Sequence, residues 1–153
     1  MRVLLDVNVI LDSMLQRQPW NKEADDILQA AAQSQVSCAT TTLSLATIFY
    51  LGRQVVGTSV ARAEVRKFLG AFEVLPVDKQ SLLDADAMPG SDFEDNIIIA
   101  AASAALVDAI VTRNPRDFAH SPIPVWEPDE LLRRLAMGTT SSSTNAGPIP
   151  GQP

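Results

Sequence analysis

Apolar residues along the chain fall into two kinds of run. Short unbroken ones read as strands buried on both faces, and longer periodic ones read as helices. Val3-Leu4-Leu5 is the first short run, with Asp6 at its carboxyl end. Val9-Ile10-Leu11 and Met14-Leu15 follow Asn8 at helical spacing. Pro19 interrupts, and Asn21 is placed to cap a second helix to about residue 32, with Ile27 and Leu28 inward. Val36-Ser37-Cys38-Ala39 predicts a second strand. The polar run Thr40, Thr41, Thr42 then leads into a third helix carrying Leu43, Leu45, Ile48, Phe49 and Leu51. Gly57-Thr58-Ser59 predicts a turn, and residues 60–69 a helix with Arg62, Arg66 and Lys67 outward. Residues 72–77 predict a third strand. Asp78 can cap a helix to Ala87, which Met88-Pro89-Gly90 ends.

The pattern then changes. Ser91-Asp92-Phe93-Glu94-Asp95-Asn96 opens a run, residues 97–106, that is apolar nearly all round, as in a buried helix. Ser91-x-x-Glu94 reads as a capping box, and acidic residues suit the positive end of a helix. Asp95 fits that account poorly. Its neighbours three, four and seven places on are Ile98, Ile99 and Ala102, so it shares a face with core residues. An unpaired charge there is expensive. Asp95 is therefore either a late helix-end acid or one of several carboxylates around a divalent metal. Ala109-Ile110-Val111 predicts a fourth strand closed by Thr112-Arg113-Asn114. A tight turn over residues 115–118 and a fifth strand over 123–126 follow. Pro128 suits the first turn of a last helix, to about residue 136. Residues 1–136 then form one domain. Residues 137–153, rich in Ser, Thr, Gly and Pro, predict a disordered tail.

Strands alternating with helices imply an α/β fold, a parallel sheet of about five strands covered on both faces. Sites in such sheets form beyond the carboxyl ends of strands, where strand order reverses. Asp6 closes the first strand, and Thr112, Asn114 and Asp117 follow the fourth. Asp92, Glu94 and Asp95 open the helix that feeds the fourth strand, and pattern alone does not bring them to the same crevice.

Composition narrows the chemistry. At 46% hydrophobic and 20% charged residues, the chain reads as a soluble globular protein. One cysteine, Cys38, rules out an internal disulfide framework and a cysteine-rich zinc site, and suits a reducing cytoplasm. One histidine, His120, rules out a His-x-x-x-His site and reads as a surface loop residue. A metal here would be held by oxygens, which points to magnesium or manganese. Neither a secretory signal nor a membrane-length apolar run is visible, so the expected location is the cytoplasm, away from membranes. The net charge of −6 argues against broad electrostatic affinity for nucleic acid. Carboxylates at a metal site count in that total, however, and are neutralised when the ion binds.

Val-Leu-Leu-Asp6-Val-Asn8, then Asp92-Phe-Glu94-Asp95, then Ile110-Val-Thr112-Arg-Asn114-Pro-Arg-Asp117-Phe118, in this order and spacing, resemble a PIN domain of the toxin type. The resemblance covers about one whole domain, residues 1–136. It implies a three-layer α/β/α sandwich around a mainly parallel sheet. It also implies a Mg2+- or Mn2+-dependent endoribonuclease with RNA as substrate, an antitoxin protein as partner, and the option of a homodimer. Asp6 matches the first metal carboxylate of the family and Asp95 the central one. Asp117 keeps a carboxylate in the last acidic segment, and Asn114 does not. Asp6, Asp95 and Asp117 are thus expected around one cation, with Thr112 and Asn114 as accessory or turn residues.

The family usually carries a glutamate on the helix after the second strand, and Thr47 stands there. Thr47 is expected to face Asp6 and Asp95, with Ser44 beside it on the same helix face. One negative charge is then missing, and Thr47→Glu would restore it. Glu94 and Asp92 either compensate or remain capping residues.

Two rivals stand beside the nuclease. A PIN-like RNA- or protein-binding module that has lost activity is permitted by Thr47. A phosphatase of the aspartyl-phosphate type needs a second aspartate two residues after Asp6, where Asn8 stands. Arg17, Arg53, Arg113 and Arg116 are candidate phosphate contacts or a solvated face, and Trp20 and Trp126 read as packing anchors.

Overall fold

The structure, a computed structural model, describes residues 1–140. Its strands are β1 (Arg2–Leu5), β2 (Ser37–Thr41), β3 (Glu73–Leu75), β4 (Ala109–Val111) and β5 (Val125–Trp126). Its helices are α1 (Val7–Met14), α2 (Asn21–Ala32), α3 (Thr42–Val56), α4 (Thr58–Ala71), α5 (Lys79–Asp86), α6 (Phe93–Ala105) and α7 (Pro128–Thr140). A short 3-10 turn spans Pro115–Phe118. All strand pairs are parallel, in the order β3-β2-β1-β4-β5.

Strand alternation sends residues to two cores. Val3, Leu5, Cys38, Ala109 and Val111 pack with Ile10, Ile27, Ile48 and Leu131 on one face. Leu4, Ala39, Leu75 and Ile110 pack with Ile98, Ile99 and Phe118 on the other. The result is the three-layer α/β/α sandwich expected, with α6 filling the second layer. Residues 96–102 of α6 are all buried, which is why that helix carries no outward polar stripe.

Several local expectations are corrected. The threonine run extends β2 rather than leaving it: Thr40 and Thr41 pair with Val74 and Leu75, and β-branched side chains fit a pleated sheet. Thr41 then caps α3 by accepting from Ser44 N at 2.9 Å. Asn21 does not cap α2. Trp20 holds the cap position without a side-chain bond, and Asn21 donates to Gln16 instead. The Ser91–Glu94 capping box is replaced by Asp92, whose Oδ1 accepts from Glu94 N at 2.9 Å and Asp95 N at 3.2 Å. Asp78 caps α5 as expected, in a reciprocal box with Ser81. Only Gly57, at φ 82°, is needed to turn α3 into α4, which already begins at Thr58. Helix α7 runs through Thr140, so the first residues of the expected tail belong to it. The rest of that stretch lies outside the described residues.

The order of strands positions the site. From β1 the chain steps to β2 and β3 on one side, then returns to place β4 on the other side of β1. The reversal opens a crevice beyond the carboxyl ends of β1 and β4. Asp6 N donates to Val111 O at 3.0 Å and stitches those two ends together. Helix α6 runs back against the strands to feed β4, so its acidic N-terminus lies at the same carboxyl edge. This settles what the linear pattern left open.

Candidate metal centre

Asp6 is almost fully buried, 6% exposed, at the floor of the crevice. Its Oδ1 accepts from Val7 N at 2.7 Å. Its Oδ2 accepts from Asn8 Nδ2 at 2.6 Å and from Thr112 Oγ1 at 2.8 Å. Burial raises its pKa, and the hydrogen bonds from Thr112 and Val7 oppose that shift. Thr112 also accepts from Asn114 N at 3.1 Å, and Asn8 Oδ1 accepts from Arg113 N at 3.3 Å. Thr112 therefore fixes Asp6 and the following loop from a wholly buried position. Asn8, which the sequence placed in the motif beside Asp6 but not among the site residues, is the second fixing residue. Its place two residues after Asp6 was the available signal.

The opposite wall is acidic and sparsely paired. Asp92, Glu94, Asp95, Asn114 and Asp117 join Asp6, Asn8, Thr47 and Arg17 around a crevice of ≈ 330 Å³. Asp95 is half-buried, and its pKa is pushed up to about 7. Burial is the first cause, followed by the charges of Asp92, Asp6, Asp117 and Glu94. The sequence-predicted carboxylates thus meet in one electrostatic neighbourhood, including the three from the far end of the crossover. Phe118, buried beneath the 3-10 turn, anchors the segment that carries Asp117. Thr47 faces the crevice as expected and donates to Glu94 Oε1 at 3.2 Å. Ser44 does not join it. Ser44 is buried and spends its hydroxyl on Thr41 Oγ1 at 2.8 Å.

The surrounding side chains are tied down. Arg113 Nε lies 2.7 Å from the buried Asp12 Oδ2, and its guanidinium stacks 4.2 Å from the Trp20 ring. Arg113 is therefore a brace on the loop after β4, not a free phosphate contact. Arg17 pairs more loosely with Asp12, at 3.9 Å, and is the cation that lines the crevice among the described residues. Arg53 lies over Tyr50, and Trp126 packs under Arg134. His120 is not a simple surface residue. Its Nε2 lies 2.7 Å from Oδ1 of the buried Asn96, whose amide donates to Ala85 O and Gly90 O. A side chain at Gly90 would collide with both Asn96 and His120, which explains a glycine there.

Among the described residues, no three Asp, Glu, His or Cys side chains stand close enough together to grip an ion as they are placed. Asp6, Asp95 and Asp117 share the crevice rather than a ready-made cluster. The donor set still fits a hard divalent cation. It is built of oxygens, and its charges repel one another in a way that a bound ion would relieve.

A family model described as PIN domain matches residues 2–116. No curated protein sequence matches significantly. Among solved structures, the DNA-bound VapBC of Salmonella typhimurium superimposes with a TM-score of 0.64 at 18% identity, covering 84% of this chain and 98% of that one. A toxin–antitoxin complex from Klebsiella pneumoniae gives 0.62 at 22%, covering 82% and 97%. VapBC2 of Rickettsia felis, bound to a promoter fragment, gives 0.62 at 15%, covering 83% and 98%. At these identities the likeness concerns the fold. With the family model spanning most of the described chain, and the crevice where the strand order places it, the protein belongs to the PIN domain family.

Proposed function

We propose that the protein is a metal-dependent endoribonuclease that hydrolyses RNA phosphodiester bonds, and that it is the toxin of a toxin–antitoxin pair. The observation that carries the reading is the gathering of Asp6, Asp92, Glu94, Asp95 and Asp117 in one crevice at the strand-order reversal, where burial and the other four acids push Asp95 upward. Perturbed acids gathered in a cleft are a mark of functional sites. Family membership and the toxin–antitoxin assemblies named among the structural neighbours support the pairing with an antitoxin.

Asp6, Asp95 and Asp117 would hold Mg2+ or Mn2+. When bound, such an ion supplies an acidified water and shields the charge of the phosphate. The chain's own part is positioning. Asn8 and Thr112 lock the Asp6 carboxylate in one orientation, and the Asp12–Arg113–Trp20 brace holds the loop bearing Asn114. Arg17 offers a positive charge at the crevice, where a phosphate must approach past acids. Among the described residues no helix is long and apolar enough to cross a membrane.

The test is cleavage of single-stranded RNA by protein freed of contaminating nuclease, with and without manganese. Cleavage that needs the ion and vanishes in Asp95→Asn is the expected result. Protein that binds RNA or a partner but never cleaves would establish the inactive-module reading instead.

A further inference from the structure

Thr47 leaves the α3 side of the crevice one carboxylate short of the family pattern. A carboxylate reaches that point from the other wall. Glu94, on the first turn of α6, accepts from Thr47 Oγ1 at 3.2 Å, a contact between residues 47 positions apart in the chain. Glu94 is not needed as the cap of α6, because Asp92 does that. Among the described residues no lysine or arginine forms an ion pair with it. Its place near a helix N-terminus accounts for a negative charge, but not for the direction of the side chain. Its side chain, though exposed, lines the same crevice as Asp6 and Asp95 and meets α3 through Thr47.

We propose that Glu94 supplies from α6 the carboxylate that α3 lacks, and that Thr47 is the positioning residue that holds it toward a divalent cation. This rests on the metal-dependent reading of the site. The two positions meet within one hydrogen bond, so they are alternative origins for an oxygen at one place. With Glu94 present, a glutamate at 47 adds a second carboxylate at the same place, a repulsion that a bound cation relieves. Thr47→Glu therefore tests the assignment only in a chain that lacks the Glu94 charge.

The experiment is manganese binding to the intact protein, followed by the electron paramagnetic resonance of free Mn2+ and by the melting-temperature rise at saturating ion. Glu94→Gln is expected to weaken binding by about tenfold or more. The double variant, Thr47→Glu with Glu94→Gln, returns close to the natural protein. Thr47→Ser keeps the natural affinity, and Thr47→Val loses part of it. Glu94 is exposed, so its variant should melt normally without metal. Unchanged binding in Glu94→Gln, or a double variant that binds no tighter than Glu94→Gln alone, overturns the proposal. If Asp95→Asn abolishes binding in the same series, the metal-dependent reading stands without it. No manganese bound by the natural protein at millimolar concentration would defeat both.

Discussion

Asp6 and Asp95 line one crevice and are held in opposite ways. Three donors converge on Asp6: Val7 N reaches its Oδ1, and Asn8 Nδ2 and Thr112 Oγ1 reach its Oδ2. Among the described residues nothing donates to the Asp95 carboxylate, and four acids press on it. The first is a pillar whose orientation is satisfied by hydrogen bonds. The second is kept in place by the helix behind it, against its own electrostatics. Ile97, Ile98 and Ile99 are at most 4% exposed, and burying side chains of that size stabilises by about 1.5–3 kcal/mol each. The strain at Asp95, discounted for its half-open setting, is roughly 1–2 kcal/mol. The apolar length of α6 therefore holds an unfavourable charge at its tip with stability to spare. Such a charge does nothing for the fold, which is the physical reason to assign it to chemistry.

The sharpest way to break this comparison is to make the same substitution on both walls. Asp6→Asn and Asp95→Asn should each reduce RNA cleavage by about 100-fold or more, the scale seen when a group acting at the reacting centre is removed. Their metal-free melting temperatures should move in opposite directions. At pH 8, with chelator, Asp95→Asn should melt about 2–4 °C higher, since it removes a repelled charge. Asp6→Asn should melt lower, because an amide cannot accept from all of the donors around it. Equal shifts in calorimetry would erase the distinction drawn between the two walls.

Thr112→Val comes next. It keeps the shape of a fully buried side chain and removes the hydroxyl that serves Asp6 and Asn114. The expected cost is about 1–3 kcal/mol in chemical denaturation. Cleavage should fall with it, through a mispositioned Asp6. A variant with full activity would show that Asn8 and Val7 suffice to orient the pillar.

The smallest effect is on the pH dependence of stability. Asp95 has a folded-state pKa near 7, against about 3.8 for the ordinary side chain. Between those values the folded state holds a proton that the unfolded state has released, so stability falls as pH rises and levels off above 7. Asp6, also raised, adds to the same slope. Melting curves from pH 4.5 to 8 without metal should show this decline, flattened in Asp95→Asn. A natural protein that gains stability over that window would mean that Asp95 is not under the repulsion described. Saturating manganese should remove most of the decline, by binding the ionised form.

Fold class was readable in the linear pattern because short apolar runs and long periodic ones differ in period, and that difference is local. Strand β1, the buried helix α6 and the cap at Asp78 all follow from residues within a turn or two of themselves. Boundaries were less readable where two local tendencies competed. Thr40 and Thr41 looked like a polar lead-in, but their edges pair with β3, a partner more than thirty residues away. Ser91 and Glu94 matched a capping pattern, but Asp92 stood closer to the open N–H groups and took them.

For the site, the sequence by itself determined which carboxylates exist and that any metal held there would be bound through oxygens. Asp6, Asp95 and Asp117 could be marked by type and by a family's order. Their neighbourhood could not, because charges interact through space, and α6 returns its N-terminus to the edge where β1 and β4 end. Only the tertiary structure decided that Thr112 and Asn8 grip Asp6, that Arg113 is committed to Asp12 and Trp20, and that Asn96 joins His120. Above all it decided that Thr47 meets Glu94. The residue that read as a missing charge in the chain faces, once α3 and α6 are brought together, the carboxylate we propose takes its place.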